Sequence, residues 1–300
     1  MSLPSVSVII PTHNRSDKLA RALSSIGPVH EVIVFDDGSR SDEAASTAEL
    51  VGQIPGATLI RQDQARGAPR ARNLAASRAS GDILAFLDSD DWWTPQRLVA
   101  HQRALAVNGQ VLSFNRTRLT DRKTGRPSSR VLDNQAPMGL NPRLAIASVN
   151  FIGGCSSVCV KRAAFESVGG FDPEMPSCQD WDLWLRLSEV GQFTRVPEVS
   201  TIMDVGPHER ITTNSSKVSS GHALMEHKAL AITRSPQERR TVSAHHLLIQ
   251  AEIAARFSKP ASSIHFLFKS LGTSVTLRAI LRLPFLTAKN LLNVSPARRS

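Results

Sequence analysis

Three hundred residues, 41% hydrophobic and 21% charged, are enough to bury the core of one large domain or two modest ones, which excludes a chain disordered by composition. Aromatic residues reach only 5% with no tyrosine, which argues against stacking platforms for single-stranded nucleic acid, and three cysteines (Cys155, Cys159, Cys178) are too few and wrongly spaced for a zinc module or disulfide scaffold. The net charge of +10 belongs to the tail: residues 253–300 hold eight basic side chains and no acid, and removing those eight from 36 leaves 28 against 26 acids, so residues 1–252 are nearly neutral.

Short β-rich runs alternate with helix patterns through the first third, as in an α/β fold with a largely parallel sheet. Val6–Ile10 reads as a buried strand. Ser16-Asp17 then opens a helix with Leu19, Leu23 and Ile26 as its apolar stripe. Val32–Phe35 is a second strand ending in Asp36-Asp37-Gly38-Ser39, and Ala57–Ile60 a third. Pro69 suits the first turn of a helix carrying Leu74 and Ala75, with Gly81 expected to close it. Ile83–Leu87 is a fourth strand and ends in Asp88-Ser89-Asp90-Asp91. Thr94-Pro95 predicts a helix start, with Thr as cap, running to about Asn108. Residues 116–142, rich in Arg, Pro and Ser, read as a loop. Ser156–Val160 reads as strand, with Cys155 and Cys159 as buried thiols on one face. The helix pattern Trp181–Glu189 stops at Gly191, with Trp181 and Trp184 on a core-facing stripe. Beyond residue 217, helical spacing dominates.

Two strands thus end in clustered carboxylates. Ligands of open α/β sheets bind at the carboxyl ends of parallel strands. Four or five acids converging there would repel one another unless a cation were present, and oxygen-only ligation points to Mg²⁺ or Mn²⁺.

The stretches VSVIIPTHNR, EVIVFDDGSRSD and GAPRARNLAASRASGDILAFLDSDD resemble the nucleotide-binding half of a family 2 glycosyltransferase of the GT-A fold. GGCSSVCVKRAAFESVGGFDPEM and CQDWDLWLRLSEVG resemble its acceptor half, in family order. The resemblance covers residues 5–215 and implies a GT-A domain over 1–215 (donor half about 1–115, acceptor half about 143–215), Rossmann-like in its first half. Residues 216–300 would form a basic helical C-terminal extension.

By the same resemblance, Pro11 and Thr12 match positions lying against the nucleotide, Asp36 the acid that contacts the donor base, and Asp37 its neighbour. Arg72 matches a nucleotide-side position, where a guanidinium can pair with phosphate or orient an Asp. Asp88 and Asp90 form the Asp-x-Asp motif, with Asp90 the direct metal ligand; Asp180 matches the catalytic base, with Asp182 as its rival. The residue before the base is usually Glu and here is Gln179, which alters the acceptor contacts expected. His208 stands where the family often places a further metal or phosphate ligand. The implied reaction is inverting transfer of a sugar from a nucleoside diphosphate, UDP foremost, to a hydroxyl acceptor in cell-surface polysaccharide or glycolipid assembly.

Two other classes stay open. A sugar-nucleotide nucleotidyltransferase needs a Gly-rich N-terminal loop, and Val6–Arg15 has no Gly. A catalytically silent nucleotide-sugar or glycan binder would not need both Asp90 and Asp180. The apolar run Val6–Ile10 is too short for a secretory signal, and Leu144–Val160 is too polar to span a bilayer, so the expected place is the cytoplasm. Between residues 263 and 294, apolar residues interleave with Lys269, Arg278, Arg282 and Lys289, the pattern of short basic helices lying on the anionic cytoplasmic membrane face.

Overall fold

The computed structural model describes residues 2–206, 214–274 and Ile280. They divide into two compact units. One is drawn from within Met1–Ala136, Phe151–Pro173 and Gln179–His208, the other from within Pro137–Asn150, Glu174–Cys178 and Glu209–Ser300.

The first unit begins as the sequence predicts. Strands β1 (Val6–Thr12), β2 (Glu31–Asp37), β3 (Ala57–Gln62) and β4 (Ile83–Phe86) lie in the order β3-β2-β1-β4, all parallel. Helices α1 (Ser16–Ser24), α2 (Ser41–Gly52) and α3 (Ala68–Ala76) make the crossovers. Every residue of β1 and β4 is buried, which fits strands covered on both faces. Leu19, Ala22 and Leu23 of α1 pack on Val8, Ile10 and Val34 in the core. Burying each such leucine contributes roughly 1.5–3 kcal/mol. The structure corrects the role of Gly81. Helix α3 has already ended at Ala76, and Gly81 instead lets the chain pass β1, where a Cβ would lie 2.6 Å from the Ser7 hydroxyl.

The sheet continues in mixed sense through β8 (Val158–Lys161), β6 (Gln110–Thr120), β9 (Gln192–Met203) and β5 (Trp92–Trp93), with β7 (Pro127–Leu132) paired to β6. It has nine strands among the described residues. Three expectations change here. Residues 116–142 are not all loop, because β6 runs to Thr120 and turns back into β7. Asp121 accepts the backbone N–H groups of Lys123 and Thr124, and Gly125 takes the left-handed conformation that closes the turn. The polar residues of β7 face outward on a largely exposed strand, which hid it from hydrophobic patterning. Thr94-Pro95 does not open a helix. The Thr94 N–H donates to the Ser200 carbonyl at 3.0 Å, extending the β5 pairing, and α4 (Arg97–Leu105) follows a left-handed Gln96. The strand after Gly154 starts only at Val158; Cys155–Ser157 form one tight turn, so the two thiols are buried but do not share a strand face.

The interior of this half encloses a polar cluster among its apolar residues. Arg97 is buried, stacks on Trp93 at 4.1 Å and donates to Asn115 Oδ1 at 3.0 Å and the Val158 carbonyl at 3.3 Å. His101 bonds Ser113 and Asn115 with both ring nitrogens, and burial holds it well below the usual imidazole range. Helices α5 (Pro142–Ser148), α6 (Arg162–Ser167) and α7 (Gln179–Leu187) complete the middle of the chain. Trp181 and Trp184 of α7 are core residues, as expected.

The second unit is helical. It comprises α5 with α8 (Ser215–Ala231), α9 (Pro236–Arg256) and α10 (Pro260–Thr273). Asn214 and Ser235 cap α8 and α9 through Lys217 N and Glu238 N. Arg143 of α5 pairs with Glu238 of α9 at 2.7 Å, and His246 bonds the Ala147 carbonyl at 2.9 Å. Helix α10 packs Leu267, Phe266 and Leu271 on Leu248, Ala251 and Ala255 of α9, while the hydroxyls of Ser263 and Ser270 donate to α9 carbonyls. Ile264 and Phe268 face outward. The rest of the 263–294 stretch, save Ser274 and Ile280, lies outside the described residues. No described helix is long and apolar enough to cross a membrane.

Residues Glu174–Cys178 run against α8 at Gly221, where an added Cβ would overlap the Ser177 hydroxyl and lie 2.9 Å from its backbone nitrogen. Gly221→Ala is therefore expected to destabilise the protein by about 1–3 kcal/mol, the usual cost of overpacking. Urea denaturation should show a lower midpoint; an unchanged midpoint would mean that the segment around Ser177 yields freely.

Candidate active site

The carboxyl edge of β1 and β2 leaves two buried polar atoms without hydrogen-bond partners. Asp36 is fully buried; its Oδ1 accepts from Ser39 N at 3.0 Å, while Oδ2 has only the Arg61 Nε at 3.8 Å. Its register partner Thr12 buries Oγ1 with no partner either. Leaving a buried polar group unsatisfied costs about 1–3 kcal/mol, and the two side by side could meet the polar edge of a ligand. Pro11 immediately precedes Thr12 on β1. Asp37 is different in kind. Its carboxylate accepts from Arg66 N at 2.8 Å, Gly67 N at 2.7 Å and the Gln62 amide, so it holds the loop that leads into α3. That loop lies so close to Gly38 that a Cβ there would sit 2.5 Å from Ala65 N.

Beyond β4, one carboxylate oxygen from each of Asp88, Asp90 and Asp91 lies within 4.8 Å of the others. Ser156 accepts the Asp88 N–H on its hydroxyl at 3.0 Å, and the Asp91 N–H closes back on the Asp88 carbonyl. Burial, then the charges of Asp90 and Asp88, push the Asp91 carboxyl well above the ordinary range. Such a group asks for a cation, and an all-oxygen set suits a hard divalent ion, Mg²⁺ or Mn²⁺. Protein cations already approach it. Arg72, almost wholly buried, pairs with Asp88 from α3, and Arg15 pairs with Asp90 at 2.7 Å. Arg21 donates to the Asp90 carbonyl at 3.1 Å and stacks on Trp92 at 3.7 Å. Asp204 N donates to Asp91 Oδ1 at 3.0 Å, and the Asp204 carboxylate takes Lys18 at 3.1 Å. His208 lies outside the described residues.

Asp180 stands in the first turn of α7, half-buried, with Oδ1 accepting the Trp181 N–H at 2.8 Å. Burial lifts its carboxyl above the ordinary range; the Trp181 N–H and the Arg72 guanidinium oppose that shift, and Asp88 adds to it. Arg72 in turn is raised above its usual value: burial works against its charge, and Cys155, Asp88 and Asp180 outweigh it. Asp88, Arg72 and Asp180 therefore form one electrostatic group. Asp182 does not join it: buried on α7, it is gripped by Arg186 Nε and Nη2 at 3.0 and 2.6 Å.

The sequence profile described as Glycosyl transferase family 2 matches residues 7–169, more than half of the chain. The chain belongs to glycosyltransferase family 2. This glycosyltransferase is 31% identical over 235 residues to the putative colanic acid biosynthesis glycosyl transferase WcaA of Escherichia coli K12, across 75% of this chain and 82% of the relative. Its fold matches two solved structures, each at a TM-score of 0.63. One is the mannosyltransferase PcManGT from Pyrobaculum calidifontis in complex with GDP-Man and Mn²⁺, at 19% identity over 97% of this chain and 81% of that one. The other is S. aureus TarS 1–349 in complex with UDP-GlcNAc, at 16% identity over 96% and 89%. The architecture is therefore GT-A, and the α/β class and helical C-terminal region expected from the sequence are those found.

Two members of the glycosyltransferase's acidic edge are not legible in the sequence, Arg15 and Asp204, whereas Asp91 is counted there among the converging acids without a role of its own. Asp91 was visible as the last acid of its run. Arg15 and Asp204 reach the cluster only through the fold, from 75 and 113 positions away along the chain from Asp90 and Asp91.

Proposed function

We propose that this glycosyltransferase is a metal-dependent, inverting enzyme that moves a sugar from a nucleoside diphosphate, UDP foremost, to a hydroxyl of a cell-surface polysaccharide or glycolipid. The observation that carries the proposal is the convergence of Asp88, Asp90 and Asp91 with Arg72, which also acts electrostatically on Asp180. The relative named for colanic acid biosynthesis supports the acceptor class.

Each residue has a physical part. Asp36 Oδ2, an acceptor with no hydrogen-bond partner, suits the single imide N–H of uracil, and the Thr12 hydroxyl beside it can meet a second polar edge of the nucleotide. Pro11 offers no N–H and lets the nucleotide lie close to β1. Asp37 holds the 62–67 loop that leads into α3. Arg72 orients Asp88 and offers further guanidinium donors on the phosphate side. A divalent ion held by Asp88, Asp90 and Asp91, with His208 as a further ligand, would supply Lewis-acid neutralisation of the leaving diphosphate. Asp180 accepts the acceptor hydroxyl's proton as that oxygen attacks opposite the leaving group, which inverts the anomeric centre. Its place in the first turn of a helix favours the ionised form against the desolvation that raises its pKa. The basic tail, with Ile264 and Phe268 exposed on α10, would hold the enzyme on an anionic cytoplasmic membrane face.

Three outcomes are expected. Asp90→Asn removes one charge from the ligand set and keeps the shape, so donor turnover should collapse while the thermal unfolding curve persists. Wild-type turnover by the variant, or by chelator-treated protein, would refute metal dependence. Asp180→Asn should cut transfer by roughly 10²–10⁴-fold with donor binding nearly intact. Because the base acts deprotonated and burial raises its pKa, wild-type kcat/KM should fall with decreasing pH through a value above the ordinary carboxylate range. That acid limb should vanish from the variant's residual rate, and its persistence would assign it to another group. For the membrane, the full chain should sediment with vesicles of anionic phospholipid and not with neutral ones. Replacing Arg278, Arg282 and Lys289 by Gln, or raising the salt, should weaken that binding; equal sedimentation with neutral vesicles would count against it.

A further inference from the structure

The first two aspartates of the acidic edge each carry a guanidinium of their own. Arg72 on Asp88 is locked in place: its side chain is 8% exposed and lies against Phe171. Arg15 on Asp90 is the more exposed of the two. It sits just before α1, its side chain is 32% exposed, and its Nη1 reaches Asp90 Oδ2 at 2.7 Å. Asp90 itself is nearly covered, at 11% side-chain exposure, so the ion pair takes up an oxygen that a divalent ion would need. The surroundings keep Asp90 fixed without Arg15, because Arg21 holds its carbonyl and the Asp91 N–H bonds to the Asp88 carbonyl. Lys18 and Arg21, at the next positions along the same face of α1, are engaged on Asp204. Arg15 is thus the member of this cationic row that pairs with the Asp90 carboxylate itself, while Lys18 and Arg21 pair with Asp204.

We propose that Arg15 is an exchangeable counter-ion of Asp90. It neutralises that carboxylate in the donor-free enzyme, yields it when a divalent ion arrives, and transfers its forked donors to the donor diphosphate. A planar guanidinium with several N–H groups suits either partner, carboxylate or phosphate, in bidentate geometry. Exchange keeps the charge of the edge balanced in both states: the arriving ion takes over the neutralisation of Asp90, and the displaced cation follows the phosphates that accompany the ion. In this reading Arg15 competes with the metal before the donor is present and assists the donor afterwards. The proposal rests on the metal reading given above.

The two halves predict opposite signs, which a merely structural arginine would not produce. Binding of Mn²⁺ alone to donor-free protein, followed by the loss of the free-Mn²⁺ electron paramagnetic resonance signal, should tighten about tenfold in Arg15→Ala, the weight of one half-buried ion pair removed from the competition. In the same variant KM for the nucleotide sugar should rise about tenfold, as expected when one charged phosphate contact is lost. Arg15→Lys, which keeps the charge without the fork, should lie between the two for Mn²⁺ and near alanine for KM. In an Asp90→Asn background, Arg15→Ala should leave Mn²⁺ binding unchanged, since the contested oxygen's charge is gone. Equal or weaker Mn²⁺ binding by both Arg15 variants would overturn the exchange, and so would a KM that does not move. Wild-type protein that binds no Mn²⁺ at all would instead overturn the metal reading and this proposal together, so the two failures can be told apart. Should Arg15→Ala unfold, Arg15→Lys carries the same comparison.

Discussion

The constraint on which the rest of the active edge depends is the repulsion among carboxylates that the sheet topology forces together. Parallel strands deliver Asp36 and Asp88 to the same edge, and the turn after β4 adds Asp90 and Asp91 within a few ångströms of Asp88. In water such a cluster would cost little; in a buried crevice each like charge raises the price of ionising the next, as the upward shift of Asp91 records. The chain answers with cations drawn from elements far apart in sequence. Arg72 comes from α3, Arg15 and Arg21 from either end of the first turns of α1, and Asp204 relays Lys18 toward Asp91. Placement of α1 and α3 is thereby tied to chemistry as well as to packing.

How much of this was legible in the sequence follows from which forces are local. The four parallel strands were legible because a strand buried on both faces is a continuous apolar run with a sharp polar end, as in Val6–Ile10 and Ile83–Leu87. The carboxylate clusters were legible for the same reason: they stand at those ends. The strand β7 was not, since an exposed strand is held by backbone pairing and one good turn, and neither leaves a hydrophobic period. Thr94-Pro95 carried a real helix-start preference, but the pairing of Thr94 with Ser200 outweighed it, so the helix begins after a left-handed Gln96. Arg15 is the clearest case of a site residue beyond reach from sequence alone. Its neighbours show a polar loop before a helix, and only the three-dimensional approach to Asp90 gives it meaning.

The two carboxylates of α7 show how environment separates identical side chains. Asp180, in the first turn, is coupled electrostatically to Arg72 and Asp88; Asp182, two positions on, is gripped by Arg186, which also donates to the Val168 carbonyl at 2.6 Å. One belongs to the charged group around Asp88, the other fastens the helix to the segment ahead of it. A similar division separates Asp36 from Asp37, where the first leaves an oxygen without a hydrogen-bond partner and the second satisfies the backbone of a loop.

The second unit takes α5 and residues Glu174–Cys178 from the interior of the sequence, between stretches that belong to the first. Its α9 depends on α5 through Arg143–Glu238 and through His246 on the Ala147 carbonyl. The C-terminal helices are therefore not a cassette appended to a catalytic domain. A recombination event, or a chimera built between relatives, that exchanged everything after residue 214 would bring in helices shaped for another protein's α5. Diversification of this region should proceed by paired changes in two distant parts of the gene rather than by wholesale replacement of its end.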